Sequence, residues 1–310
     1  MSLSASVRRP TDVDLSVRIG SVSLKNPVLT ASGTFAYGIE FAHLVDLNCL
    51  GGIVVKGLSI APMEGAPGPR LCETASGMMN AVGLQNIGVN AFVATKLPEL
   101  RKYDTAIVAN VFGQTAGEYA GVVRVLEDAD GIAAYELNIS CPNTDRGGAE
   151  FGSEPKPATE VVSAARKVAR RPLWVKLSPN SRIGEIALAV ESAGADALTV
   201  ANTYPAMCLD PLSGRSRLGR LSGGLSGPAV RPLSLKLVYD VCRMVSIPVI
   251  GVGGIESCVD ALEYLVAGAR ATQVGTAHFS NPRASEEVVE GLRNMNVDLK
   301  SLNMNGIRNT

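Results

Sequence analysis

The sequence predicts an α/β fold, a (β/α)8 TIM barrel with long inserted loops over its C-terminal face. Three observations lead there. Short apolar runs recur eight times along the 310 residues. The runs are continuously apolar rather than alternating, as in strands of a parallel sheet covered by helices. Between several of them lie segments with one apolar helical face. Eight strand-then-helix repeats favour closure into a barrel over an open doubly wound sheet, and 310 residues suit a barrel of roughly 250 residues plus insertions.

In chain order the runs are PVLTA (27–31), GIVVK (52–56), AIVANV (106–111), YELNI (135–139), LWVKL (173–177), ALTVA (197–201), PVIGV (248–252) and ATQVG (271–275). A representative helix follows the fifth run, where Ile183, Ile186, Ala187 and Val190 repeat at the spacing of one buried face. Two connections, 57–105 and 204–230, are too long for simple turns and rich in Gly, Pro and Ser. Insertions of that length in a compact domain usually carry function. Residues 1–14 and 296–310 are polar enough to be peripheral ends, so a single domain spanning 1–310 is expected, with no internal boundary.

Composition narrows the function classes. Lys plus Arg (29) equals Asp plus Glu (29), so no long-range field draws the chain to nucleic acid or an anionic membrane. The cysteines at 49, 72, 141, 208, 242 and 258 form no CxxC pair and do not cluster in sequence with His43 or His278, which argues against a zinc site or a disulfide framework. The N-terminus lacks a signal-peptide core, and no segment offers ~18 uninterrupted apolar residues. A soluble protein of the reducing cytoplasm is expected.

In such a barrel the chemistry sits where each strand stops. Those positions are Ser32, Lys56, Asn110, Asn138 followed by Cys141, Lys176, Asn202 with Thr203, Gly253 with Gly254, and Gly275 with Thr276. For any single Ser or Asn, the ordinary preference of loops for these residues is explanation enough. Lys56 and Lys176 demand more, because an ammonium ending an apolar strand is costly without an anionic or electron-rich partner; a structural salt bridge is the competing reading. The glycines of VIGVGGI and QVGTA place bare backbone N–H groups at the ends of strands seven and eight, where barrels commonly hold phosphate with the help of a helix dipole.

Cys141 lies in the polar loop ELNISCPN, whereas Cys49, Cys242 and Cys258 read as small buried hydrophobes. Pro142 sets the chain direction beyond it. Asn138 and Asn143 bracket it with amides that both donate and accept. With Asn80 from the first long insertion and Asn202, four amides suggest a ligand with alternating N–H and C=O edges.

Taken together, ASGTF (31–35), VVKGLS (54–59), GPRLCETASGMMNAVGLQN (68–86), NISCPN (138–143), VKLSPN (175–180), ANTY (201–204), GGLSGPAVRP (223–232), GVGGI (251–255) and VGTA (274–277) resemble the class 1 dihydroorotate dehydrogenases, in order and over about residues 15–295. The resemblance implies an FMN-binding barrel that oxidises dihydroorotate to orotate in pyrimidine biosynthesis. FMN would be held by Ser32, Lys56, Gly57, Asn110, Asn138, Lys176, Ala201, Gly227, Gly253, Gly254, Gly275 and Thr276. Substrate would be contacted by Lys56, Asn80, Ala81, Val82, Gly83, Leu84, Asn138, Asn143, Asn202 and Thr203. In the implied mechanism Cys141 removes a proton from C5 while hydride passes from C6 to FMN.

The stretches CPNTDRGGAEFGSEP and GTFAYGIEF look more like class 1B, NAD-dependent, than the fumarate-using class 1A. Class 1B implies a homodimer joined to a second subunit carrying FAD and a [2Fe-2S] cluster, since this chain has no cysteine spacing for that centre. Thr144, Asp145 and Arg146 in the catalytic loop need not match any one member. Other readings are a class 1A enzyme, a dihydropyrimidine dehydrogenase-like reductase and, from another class, an aldolase or isomerase using Lys56 or Lys176 as a Schiff base.

Overall fold

The structure, a computed structural model, describes residues 13–140, 151–295 and 299. Cys141, Asn143, the Thr144 to Arg146 segment and most of the expected peripheral ends lie outside the described residues.

The strands are β1 (Val17–Ile19), β2 (Val22–Leu24), β3 (Val28–Thr30), β4 (Gly52–Val54), β5 (Leu71–Thr74), β6 (Gly77–Asn80), β7 (Ala106–Val111), β8 (Ala134–Asn138), β9 (Leu173–Leu177), β10 (Ala197–Val200), β11 (Tyr204–Ala206), β12 (Gly223–Ser226), β13 (Val249–Val252) and β14 (Ala271–Val274). The helices are α1 (Val89–Ala91), α2 (Leu97–Leu100), α3 (Ala116–Glu127), α4 (Pro155–Arg166), α5 (Ile183–Ser192), α6 (Arg231–Cys242), α7 (Cys258–Val266) and α8 (Ala284–Asn294).

Strands β3, β4, β7, β8, β9, β10, β13 and β14 pair in parallel and close into a barrel, one for each apolar run of the sequence. Alternation along each strand separates two cores. Leu29, Val54, Val108, Ala134, Trp174, Ala197, Ile250 and Ala271 face inward, and Ile19, Val22 and Leu24 of the β1–β2 hairpin close the barrel from below. Their neighbours, among them Val28, Ile53, Ile107, Tyr135, Val175, Leu198 and Val249, face outward under the helices. Each fully buried aliphatic side chain of this kind contributes about 1.5–3 kcal/mol.

The helices follow local rules. Ile183, Ile186, Ala187 and Val190 are the buried face of α5, as their spacing predicts. Thr115 caps α3 by accepting from the Glu118 N–H. Ser257 and Asp260 form a reciprocal capping box on α7. No helix among the described residues is long and apolar enough to cross a membrane.

The two long insertions are not independent loops. The first supplies β5 and β6 and the second β11 and β12, which pair antiparallel in the order β11-β12-β6-β5 as a sheet above the barrel mouth. Its register sets Asn80 opposite Gly224 and Met79 opposite Leu225. Cys72, Met79, Ala81 and Leu218 form a small core on it. The thiols of Cys72 and Cys208, one from each insertion, lie 3.3 Å apart there.

Gly77 lies where the two insertions meet, at φ +144°, and a Cβ there would collide with the Ser226 carbonyl. Gly77→Ala should therefore destabilise the protein by about 1–3 kcal/mol. Gly117→Ala, in the open first turn of α3, should instead stabilise it by up to about 1 kcal/mol. Chemical denaturation of the two variants checks the contrast, and equal stabilities would mean that the insertions do not rely on close backbone approach at Gly77.

Candidate active site

Above the apolar inward layer the same strands present a second one, two residues further on. Val54 is followed by Lys56, Val108 by Asn110, Ala134 by Glu136, Trp174 by Lys176, Ala197 by Thr199 and Ala271 by Gln273. The pleat thus carries the barrel axis from hydrocarbon to charge within one step of about 7 Å. This polar layer is the floor of a cavity of about 590 Å3, and the antiparallel sheet forms part of its wall.

Ser32, Lys56, Gly57, Asn110, Asn138, Lys176, Ala201, Gly253, Gly254, Gly275 and Thr276 all line this cavity, as do Asn80, Ala81, Val82, Gly83, Leu84, Asn202 and Thr203. Gly227 does not. It sits behind the wall at φ +96°, where a Cβ would press on Gly77, and its carbonyl occupies the Cβ direction of Gly254. A larger hollow of about 810 Å3 beside the β1–β2 hairpin is lined by Ser16, Arg18 and Arg270 and contains none of the expected residues.

Lys176 is 5% exposed, and its nearest hydrogen-bond partner is Ser32 Oγ at 3.5 Å. Burial pushes its ammonium below the ordinary lysine value, while the negative charge of Glu136 opposes the fall. Burial also lowers Lys56, helped by the nearby positive charge of Arg70. Two cations, Lys176 buried and Lys56 partly so, therefore look into one hollow, a setting that favours an anionic or electron-rich ligand. Lys56 has no carboxylate partner among the described residues.

The amides on the other side are oriented rather than loose. Asn202 Nδ2 donates to Asn138 Oδ1 at 3.1 Å and to Ser140 Oγ at 2.9 Å, and Asn202 Oδ1 accepts from the Thr203 N–H at 2.8 Å. Ser178 Oγ donates to Ser140 Oγ at 2.8 Å, and the Tyr119 hydroxyl holds the Asn138 carbonyl at 2.6 Å. The residue directly before Cys141 is thereby pinned from two strands. Asn80 Nδ2 reaches the Gly224 carbonyl at 3.2 Å, tying that amide to the upper sheet.

The helix after strand seven, α7, has its first turn closed by its own Ser257–Asp260 box, and Asp260 is ion-paired with Arg231. What the turns bring to the cavity is Gly253, Gly254, Gly275 and Thr276 themselves. Gly253 (φ +135°) and Gly254 (φ +65°) hold conformations that suit glycine, and the Tyr264 hydroxyl anchors the Gly253 carbonyl at 2.7 Å. Thr276 Oγ1 donates to Ser226 Oγ at 2.8 Å.

Sequence reasoning missed Ser140, Ser178, Ser226 and Ser234, all on the cavity wall. Ser140 and Ser178 stood inside quoted motifs, NISCPN and VKLSPN, and the period-2 step from Lys176 to Ser178 was the available signal. Of the cysteines read as buried hydrophobes, Cys49, Cys242 and Cys258 are each only partly covered. Burial still pushes the Cys49 and Cys242 thiols up to about 12.

Because Lys56 gives up its proton more readily in the folded chain, the unfolded chain binds more protons between the two pKa values, and folding gains stability as pH rises through that window. Lys56→Met should stabilise the ligand-free protein by roughly 0.5–2 kcal/mol and flatten this rise, while costing ligand affinity. Denaturation across alkaline pH measures both, and a destabilised variant would show that Lys56 is a structural cation.

The sequence profile of the dihydroorotate dehydrogenase family matches residues 14–295. The chain is 56% identical over 279 residues to a Solibacter usitatus protein provisionally named dihydroorotate dehydrogenase A (fumarate), covering 90% of this chain and 92% of that one. It is 50% identical over 294 residues to a Thermodesulfovibrio yellowstonii protein named dihydroorotate dehydrogenase B (NAD(+)), catalytic subunit, covering 93% and 96% of the two chains. A Trichlorobacter lovleyi protein of the same name is 52% identical over 279 residues, covering 90% and 92%. The chain belongs to the dihydroorotate dehydrogenase family, and it is an oxidoreductase that oxidises dihydroorotate.

Proposed function

We propose that this chain is the FMN-bearing catalytic subunit of a class 1B enzyme, which oxidises dihydroorotate to orotate with Cys141 as base and passes the electrons to NAD through a partner subunit carrying FAD and a [2Fe-2S] cluster. The observation that carries the reading is the convergence of Lys56, Lys176, Asn80, Asn138 and Asn202 on one cavity at the strand ends. The two cations, the oriented amides and the Gly253–Gly254 and Gly275–Thr276 turns form a donor-rich wall that fits FMN. Ser32, Gly57, Asn110, Ala201, Gly227 and Thr276 complete the set that would hold it.

When bound, FMN supplies the two-electron acceptor for hydride from C6 of the substrate. The chain supplies the rest. Asn80, the Ala81–Leu84 loop, Asn138, Asn143, Asn202 and Thr203 hold the dihydropyrimidine ring by its alternating N–H and C=O edges, and Lys56 takes its carboxylate. Cys141, as thiolate, removes the proton from C5. Its predecessor Ser140 is fixed by Asn202 and Ser178. The roofing sheet limits water at the reacting face.

The names of the Thermodesulfovibrio and Trichlorobacter relatives favour a catalytic subunit working with NAD, whereas that of the Solibacter relative points to fumarate. A homodimer bound to an FAD and iron–sulfur subunit, in the cytoplasm, is the assembly this reading entails.

Purified with its partner, the enzyme should be coloured, bleach anaerobically with dihydroorotate and turn over with NAD. Fumarate turnover by this chain alone would overturn the class 1B reading, and bleaching by dihydrouracil but not dihydroorotate would overturn the substrate. Cys141→Ala should keep FMN bound yet slow its reduction by roughly 100- to 10,000-fold, and wild-type reduction should quicken with pH as the thiol ionises. Unchanged kinetics would remove Cys141 from the role.

A further inference from the structure

One carboxylate lies within the barrel itself. Glu136 on β8 is 0% exposed, in the polar layer beneath the cavity. It accepts from Asn110 Nδ2 at 2.8 Å, Thr199 Oγ1 at 2.8 Å and Gln273 Nε2 at 2.6 Å, donors from β7, β10 and β14. A buried carboxylate carries a desolvation cost of several kcal/mol, which three donors and a cation nearby can offset. Nothing in the reaction assigned above uses this group.

Two consequences reach the cavity. With its Nδ2 committed to Glu136, the Asn110 amide has one orientation, and its Oδ1 stands beside Gly57, 3.0 Å from where a Cβ of that glycine would be. The groups charged or titratable around Lys176 are Glu136 from β8 and Lys56 from the end of β4, with Arg70 behind Lys56; Glu136 is the only anion of this set among the described residues. Glu136 acts on Lys176 through space, since the hydrogen bond of the ammonium goes to Ser32.

We propose that Glu136 is a positioning residue for the known reaction, the buried carboxylate that fixes the Asn110 amide beneath the ligand and stands as the counter-charge of Lys176. Its value to catalysis rests on the reading of the cavity as an FMN site. Without it, burial alone would govern Lys176, and the cation under the ligand would be lost as pH rises. All three neighbours donate to the carboxylate, so the NH2 of a glutamine in its place would need one of them, such as the Asn110 amide, to turn round and accept.

The test compares wild type, Glu136→Gln and Gln273→Met, the last removing one donor from the carboxylate. FMN dissociation from the holoenzyme is followed by flavin fluorescence at about pH 6.5 and about pH 9, and the Lys176 ammonium is titrated by nitrogen NMR of labelled lysine. Glu136→Gln should raise the FMN dissociation constant roughly tenfold or more, with the larger effect at the higher pH, and Gln273→Met should act in the same direction but less. In Glu136→Gln, Lys176 should lose its proton at lower pH than in wild type.

A Glu136→Gln protein with wild-type FMN affinity at both pH values and an unmoved Lys176 titration overturns the proposal. So does one that is merely less stable, with an unaltered pH profile. If Glu136→Gln does not fold, an unaltered FMN dissociation constant in Gln273→Met overturns it instead. A wild-type protein that binds no FMN, but whose Lys176 titration still depends on Glu136, would sink the flavin reading and leave the assignment of Glu136 standing.

Discussion

Side chains on a parallel strand alternate between its two faces, so a closed barrel stacks its inward residues in layers two positions apart. Here one such step separates Val54, Val108, Ala134, Trp174 and Ala271 from Lys56, Asn110, Glu136, Lys176 and Gln273. The lower layer, sealed by the β1–β2 hairpin, is what makes the upper one possible. Charges placed directly on a dry hydrocarbon floor interact strongly, and their hydrogen bonds have few competitors from water. The cost is that each polar group must find a partner, which is why Glu136 gathers donors from three strands and why Asn202, Asn138, Ser140 and Ser178 bond to one another.

The roof follows a different logic. Neither insertion could form a stable sheet alone, since an isolated two-stranded hairpin is marginal in water. Paired, they bury Cys72, Met79, Ala81 and Leu218 and bring Asn80, Thr203 and Leu225 to the same hollow. Close backbone approach decides the joints: a Cβ at Gly77 would strike Ser226, and one at Gly224 would strike Thr203. The site is thus shared between a rigid barrel and a sheet assembled from segments more than 100 residues apart.

The eight barrel strands were legible because continuous apolar runs bounded by Gly, Pro or Asn have few other uses, and Lys56 and Lys176 stood out as cations ending such runs. The four-stranded roof was not, because LCET, GMMN and GGLS are too short and too polar to differ from loop. Gly227, expected to contact the ligand, packs closely against Gly77, a contact that no local pattern signalled. Glu136 escaped notice altogether: a single carboxylate inside YELNI gives no sign of the partners on β7, β10 and β14 that make its burial tolerable.

The sequence by itself determined the class of fold, the order of its strands, the residues at their ends and the family, all of which depend on local pattern and motif order. Only the tertiary structure decided which polar side chains share a layer, how the two insertions join, and at which glycines two backbones come together. Barrel closure and its stagger set neighbours across strands that lie far apart in the chain, and no local pattern encodes that geometry.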